Sequence, residues 1–152
     1  MAKEIERKFL VVSPAWRENI KASRPIRQAY ISSDPEATVR VRVRGSKAFL
    51  TVKGITRDSV RDEWEYEIPV ADADEMASRV AGGWAIEKTR YLVDAGEGLT
   101  WEIDEFHGSL APLVLAEIEL PSDSTPIPSR PDWLGEEVTG NPAYYNSVLA
   151  RR

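Results

Sequence analysis

Val39-Arg40-Val41-Arg42-Val43-Arg44 alternates strictly between a β-branched apolar residue and a guanidinium. Successive side chains of a strand point to opposite faces, so one face of this run carries only valine and the other only arginine. A strand with one wet face is common in antiparallel sheets. Such a face usually mixes its charges with Ser, Thr, Asn and Gln, and this one does not.

The same pattern recurs along the chain. Glu4, Glu6 and Lys8 share a face opposite Ile5 and Phe9, and Lys53 lies on the face of Phe49 and Thr51. Arg61, Glu63, Glu65 and Glu67 alternate with Trp64, Tyr66 and Ile68. Lys88 and Arg90 alternate with Thr89 and Tyr91, Glu102 and Asp104 with Trp101 and Ile103, and Glu117 and Glu119 with Ala116, Ile118 and Leu120. Strands are expected near residues 4–12, 26–32, 38–44, 47–54, 61–70, 84–94, 99–105 and 113–120, with tight turns at Gly45-Ser46 and Gly96-Glu97-Gly98. Repetition of ionic same-face rows predicts a shared charged interior. The fold class expected is β-dominated α+β: an eight-stranded antiparallel closed β-barrel, a tunnel with a charged interior, flanking helices and a C-terminal helix.

Ser13-Pro14 opens a short helix reaching about Ile20. Asp72 to about Val80 reads as a helix that Gly82-Gly83 stops, and Pro142 to Leu149 as a terminal one. The Pro- and Ser-rich stretch 122–131 reads as a surface loop. Residues 1–152 read as a single domain. The five tryptophans are expected as core beneath the helices, and His107, the one histidine, as a surface residue beside Gly108.

A hydrophobic fraction of 42% and a charged fraction of 30% are those of a globular chain. The net charge of -5 argues against nucleic acid or an anionic membrane as partner. The absence of cysteine excludes disulfides and thiolate chemistry. The charged opening M-A-K-E-I-E-R-K has no apolar signal core, so a cytoplasmic location is expected. A transmembrane barrel is rejected because Arg7 and Glu87 would face lipid.

A lumen holding many cations beside many carboxylates is costly unless they are paired or bound to ligands. Glu4, Glu6, Glu117 and Glu119 offer only hard oxygen donors, which suit Mg²⁺ or Mn²⁺ rather than Zn²⁺. Arg40, Arg42, Lys53, Lys88 and Arg90 offer forks and point charges for phosphate oxygens. Together these make a site for a chain of phosphates. The bland reading, charges that merely cancel as internal salt bridges, stays open here.

E-I-E-R-K-F-L at residues 4–10 resembles the E-x-E-x-K signature of the CYTH superfamily, the triphosphate tunnel metalloenzymes. V-R-V-R at 39–42, T-V-K at 51–53, R-D-E-W-E-Y-E-I-P at 61–69, E-K-T-R-Y at 87–91, W-E-I-D at 101–104 and A-E-I-E-L at 116–120 follow in the family's order. The resemblance implies an eight-stranded antiparallel tunnel open to solvent, closed or gated in bacterial members by a C-terminal helix, and Mg²⁺- or Mn²⁺-dependent action on triphosphates. It implies metal ligation by Glu4, Glu6, Glu117 and Glu119, to which Asp104 is added. It implies phosphate binding by Lys8, Arg40, Arg42, Lys53, Arg61, Lys88 and Arg90. The short bacterial type resembles inorganic tripolyphosphatases. Class IV adenylyl cyclases and thiamine triphosphatases are other branches, and a non-catalytic polyphosphate or nucleotide sensor is a further reading.

The partner expected is therefore a small triphosphate, with a homodimer left open. No Ser-His pair or cysteine supports a covalent route, which favours direct attack by water. No histidine lies in the charged strands, so the proton acceptor is sought among a carboxylate, a metal-ionised water, Lys88 and Tyr30. Both Lys and Tyr titrate near 10 when unperturbed.

Overall fold

A computed structural model describes residues 3–151. Nine antiparallel strands form one sheet in the order β5-β4-β3-β2-β6-β7-β8-β1-β9, closed by a pairing of β5 with β1. The strands are β1 (Lys3–Val11), β2 (Ile20–Asp34), β3 (Ala37–Arg44), β4 (Lys47–Arg57), β5 (Val60–Ile68), β6 (Ile86–Gly96), β7 (Leu99–Phe106), β8 (Val114–Glu119) and β9 (Leu134–Glu137). Eight of them make the expected barrel. β1 is its seam: Lys3–Ile5 pair with β5, Glu6–Leu10 with β8, and Phe9 and Val11 with β9.

Turn chemistry accounts for the hairpin register. Gly45 adopts φ +62° between β3 and β4, and Gly96, Glu97 and Gly98 adopt +88°, +56° and +75° between β6 and β7. Such left-handed backbone is what tight hairpins require and what glycine adopts at least cost.

Several expectations need correction. β2 begins at Ile20, well before residue 26, because Ile20–Gln28 pair with β6 while Ile26–Asp34 pair with β3. The long strand swaps neighbours along its length and so bends the sheet. The segment after Ser13-Pro14 is a 3₁₀ turn over Ala15–Asn19 without a side-chain N-cap bond. The terminal helix divides into a 3₁₀ turn at Pro142–Tyr144 and one turn of helix, α2 (Asn146–Leu149), separated by Tyr145 in extended conformation. β9 lacks alternating apolar residues and was not expected. It packs so close to β1 that a Cβ on Gly135 would sit 2.7 Å from Val12. The middle helix, α1 (Val70–Arg79), is where it was expected.

The apolar faces point outward into separate cores. α1 covers Ala29, Val41 and Val43, with Ala73 and Ala77 fully buried and Trp84 packed alongside. Among the described residues the other flank carries no long helix. Phe9, Trp16, Trp101, Trp133 and Ile118 form its core, with Trp101 set edge-on to both Phe9 and Trp133. Most tryptophan burial is therefore beneath a 3₁₀ turn and the 121–133 loop, not beneath helices.

A third core lies inside the barrel. Leu10, Ile86, Phe106 and Leu115 continue the lumen-facing rows of Lys8, Lys88, Asp104 and Glu117, and Leu149 of α2 packs into them. The lumen is thus ionic for most of its length and plugged at one end by hydrocarbon. Leu149 is 1% exposed, so Leu149→Ala should cost about 2–5 kcal/mol of stability in urea unfolding. Val12→Ala, at a side chain 66% exposed, should stay within about 0.5 kcal/mol.

Candidate active site

Register carries ionic side chains around the lumen in rows. Tyr30 lies opposite Arg40, Arg40 opposite Thr51, and Thr51 opposite Glu65. Lys8 lies opposite Glu117, which lies opposite Glu102. Two neighbouring hollows result, of about 70 and 140 Å³, sharing Glu4, Glu6, Arg40, Lys53 and Asn146 as walls. The larger also meets Arg42, Arg44, Glu63, Glu65, Arg90, Glu102, Glu117 and Glu119. The smaller meets Lys8, Tyr30, Thr38, Arg61 and Tyr145.

The cations divide by how they are held. Arg90 is locked: its Nε and Nη2 donate to the two Asp104 oxygens at 2.8 and 2.9 Å, and its Nη1 to Glu102 at 3.2 Å. Burial opposes its charge, yet Asp104 and Glu102 hold its proton far more firmly than usual. Lys53 donates to both Glu4 oxygens at 3.0 Å and reaches Glu63 at 3.3 Å. Lys8 donates to the Tyr144 carbonyl at 2.9 Å and pairs with Glu117 at 3.4 Å. Arg61 spends its donors at the rim, on the Gly54 carbonyl and Thr38.

Arg40 and Arg42 are different. Arg40, buried in the wall, meets Thr51 at 3.3 Å and Glu65 only at 3.9 Å, and its Nε has no partner among the described residues. Arg42 donates to the neutral Gln28 amide at 2.9 Å. Burial, then Arg40 and Arg90, press its guanidinium down to about 9, still charged at neutral pH. Buried guanidinium donors left this loosely held are available to an anion.

The carboxylates are crowded in turn. Burial would raise Glu4, but Lys53 and a hydrogen bond from Glu63 hold it well below the usual range. Glu63 is pushed up to about 7 by burial and by Glu4. Glu6 is raised well above the usual value by burial, Glu117 and Glu4, and Glu119 is raised by burial, Glu4 and Glu102. Burial would raise Glu117, but Lys8 and Arg90 lower it to about 2. Among the described residues no three acidic or histidine side chains gather into a ready cage for an ion. The donor chemistry nevertheless fits a hard divalent cation. Mg²⁺ ordinarily takes one or two carboxylates and completes its shell with water and phosphate oxygens.

Of the expected metal ligands, Glu4, Glu6, Glu117 and Glu119 share the larger hollow. Asp104 does not line it. Both its oxygens are taken, by Arg90 and by Lys88 at 2.7 Å, and these two cations override its burial to hold it well below the carboxylate range. Lys88 lies on a lumen-facing row but lines neither hollow; it is 1% exposed and donates also to Asn146 Oδ1 at 3.1 Å. Burial brings its ammonium down to about 7, Asp104 opposing and Arg90 assisting. Tyr30 lines the smaller hollow, and His107 is exposed, paired with Thr89 at 2.8 Å. Sequence reading missed Asn146 and the Tyr144 carbonyl, which no strand period marks. It passed over Glu63, Glu65 and Glu102 although they lie on the charged faces it identified, and it gave Gln28 no role.

Fold and lumen together define a closed antiparallel barrel with an ionic interior. The chain belongs to the CYTH domain family, whose model matches residues 2–146. It is 48% identical over 151 residues to an inorganic triphosphatase of Acetivibrio thermocellus, covering 99% of this chain and 95% of that one. It is 38% identical over 149 residues to an inorganic triphosphatase of Nitrosomonas europaea, covering 97% and 96%. The crystal structure of the inorganic triphosphatase NE1496 is similar, with a TM-score of 0.67, 33% identity, and coverage of 100% of this chain and 97% of that one. Among the described residues no helix is long and apolar enough to cross a membrane.

Crowding at Glu6 has a consequence for stability. A carboxyl whose folded pKa lies above its unfolded value withdraws stability as pH rises past that unfolded value, near 4.5. Glu6→Gln imitates the protonated form. In EDTA its urea midpoint should match wild type near pH 4 and exceed it at pH 7. Equal midpoints at pH 7 would contradict the crowding.

Proposed function

We propose that this protein hydrolyses inorganic tripolyphosphate to pyrophosphate and phosphate with Mg²⁺ or Mn²⁺. The observation that carries this reading is the imbalance of the lumen. Arg40 and Arg42 present guanidinium charge without close carboxylate partners, while Glu4, Glu6, Glu63 and Glu119 crowd one another. A chain of phosphates bridged to divalent cations neutralises both groups at once. The inorganic triphosphatases related to this chain support the same choice of substrate.

Arg40 and Arg42 fork onto phosphate oxygens, with Lys8, Lys53 and Arg61 adding charge along the smaller hollow. Arg90, fixed by Asp104, contributes its field from a held position. Asp104 is thus a positioning residue for Arg90 and Lys88 rather than a metal ligand. Glu4, Glu6, Glu117 and Glu119 would hold a divalent metal, which would supply charge neutralisation and phosphate orientation. Water attacks the terminal phosphorus in line. Lys88, poised near neutrality and flanked by Arg90 and Asn146 of the lumen wall, accepts the proton. Tyr30 donates to the substrate from the smaller hollow.

Phosphate release from tripolyphosphate, pyrophosphate, ATP and thiamine triphosphate, each with Mg²⁺ and Mn²⁺, tests the assignment. Tripolyphosphate should be cut fastest, because a third phosphate adds charge-assisted contacts that pyrophosphate lacks. Pyrophosphate should turn over poorly or inhibit, and EDTA should abolish turnover. Faster hydrolysis of pyrophosphate, or no phosphate release from any of the four, would overturn the proposal.

Proton transfer sets a second test. Lys88 must be neutral to act as a base, and its neutral fraction grows as pH passes about 7. Activity should therefore climb through neutrality and peak on the alkaline side. Lys88→Arg keeps the cation but cannot release a proton, so it should lose this rise and run about 10²–10⁴-fold slower. An optimum at or below about 6.5, the range of histidine, would mean another acceptor.

A further inference from the structure

Gln28 on β2 is wholly buried, and its amide is shared between two lumen side chains on the strand pair β2–β3. Arg42 Nε donates to Gln28 Oε1 at 2.9 Å, and Gln28 Nε2 donates to Tyr30 Oη at 2.8 Å. A guanidinium has no acceptor, so the end of the amide facing Arg42 must be its oxygen. The NH₂ end is thereby turned to Tyr30. Since NH₂ only donates, the phenol oxygen accepts there, and its own hydroxyl proton is left for the hollow that Tyr30 shares with Lys8, Arg40 and Lys53.

The amide also differs from the acceptors that serve the other cations. Asp104 holds Arg90 with a full negative charge, and Glu4 holds Lys53 in the same way. Gln28 holds Arg42 with a dipole. Its oxygen fixes the plane of the guanidinium while leaving the whole positive charge for an anion, where a carboxylate would cancel it.

The geometry points to Gln28 as a positioning residue of the triphosphate site: it braces Arg42 without neutralising it and frees the Tyr30 hydroxyl proton for a phosphate oxygen. This rests on the tripolyphosphate reading above. It separates two properties that a structural role would keep together. Gln28→Glu preserves shape and strengthens the bond to Arg42, yet adds a cancelling charge and offers an acceptor to the Tyr30 hydroxyl. Gln28→Met removes both bonds but leaves the Arg42 charge intact.

The test is calorimetric titration of tripolyphosphate into wild type, Gln28→Glu and Gln28→Met in EDTA, where no turnover is expected, with thermal melts as controls. Affinity should fall in the order wild type, Gln28→Met, Gln28→Glu. The Glu variant should be about 10–100-fold weaker than wild type, the worth of a hydrogen bond to a charged group. Its melting temperature should not fall. Tyr30→Phe should cost several-fold in wild type and less than about two-fold in the Gln28→Glu background, because residues in one network are not additive. With metal present, KM should rise more than kcat falls. Gln28→Glu binding within about two-fold of wild type, or more tightly than Gln28→Met, would overturn the assignment. If Gln28→Met does not fold, the Gln28→Glu affinity and the cycle with Tyr30→Phe decide. A wild type that binds tripolyphosphate but releases no phosphate sinks the hydrolase reading and leaves the affinity order as the test of Gln28. A wild type that is active, with Gln28→Glu unchanged, sinks only the role of Gln28.

Discussion

Unbalanced charge inside a closed wall is the constraint on which the rest of this structure depends. Ions taken from water must be repaid by partners of good geometry, or the fold loses stability. In this lumen the repayment is uneven. Arg90, Asp104 and Lys88 form a tight buried set, while Arg40 and Arg42 on one wall and Glu6 and Glu63 on another stay short of counter-charge. Rearrangement within the wall cannot relieve both shortages, because strand register fixes which side chains meet. A ligand that brings anionic oxygens together with cations relieves both.

The walls must therefore be held rigid by something other than the lumen. The cores that do this lie outside it: the helix-covered valine face, and the aromatic flank of Phe9, Trp16, Trp101 and Trp133. β1 ties the two sides together. It closes the barrel against β5, runs along β8, and takes β9 on its far end. The same strand carries Glu4, Glu6 and Lys8, so the seam of the fold and the most crowded part of the site are one element. Substitution at the backbone of this strand reaches both.

The barrel was legible in the sequence because its alternation is strict: V-R-V-R-V-R and W-E-I-D leave no doubt about which face is which. Strand neighbours were less legible. That β2 begins at Ile20 depends on pairing with β6, seventy residues away in sequence, which local pattern does not encode. β9 was missed because Leu-Gly-Glu-Glu has no apolar alternation; it is held by close approach at Gly135 and by its two neighbours on β1. At the site, residue type identified the ionic face but not its internal pairing. Lys88 and Asp104 sit on the same rows as the lumen residues, yet they pair with each other and line neither hollow. That outcome is decided by distances of 2.7–2.9 Å, beyond the resolution of a period-two pattern.

The C-terminal segment shows how the ionic and apolar parts of the lumen are joined. Leu149 enters the hydrocarbon end, and the three residues before it return the chain to the ionic part, where Asn146 accepts from Lys88. The Tyr144 carbonyl accepts from Lys8. A regular helix from Pro142 could not present that carbonyl outward, since its oxygen would be committed to the residue four positions on. The break at Tyr145 is what frees it. Two lysines, on β1 and β6, are thus oriented by a segment that Leu149 anchors in the hydrocarbon end. Packing at the plug and charge placement in the site are parts of the same contact.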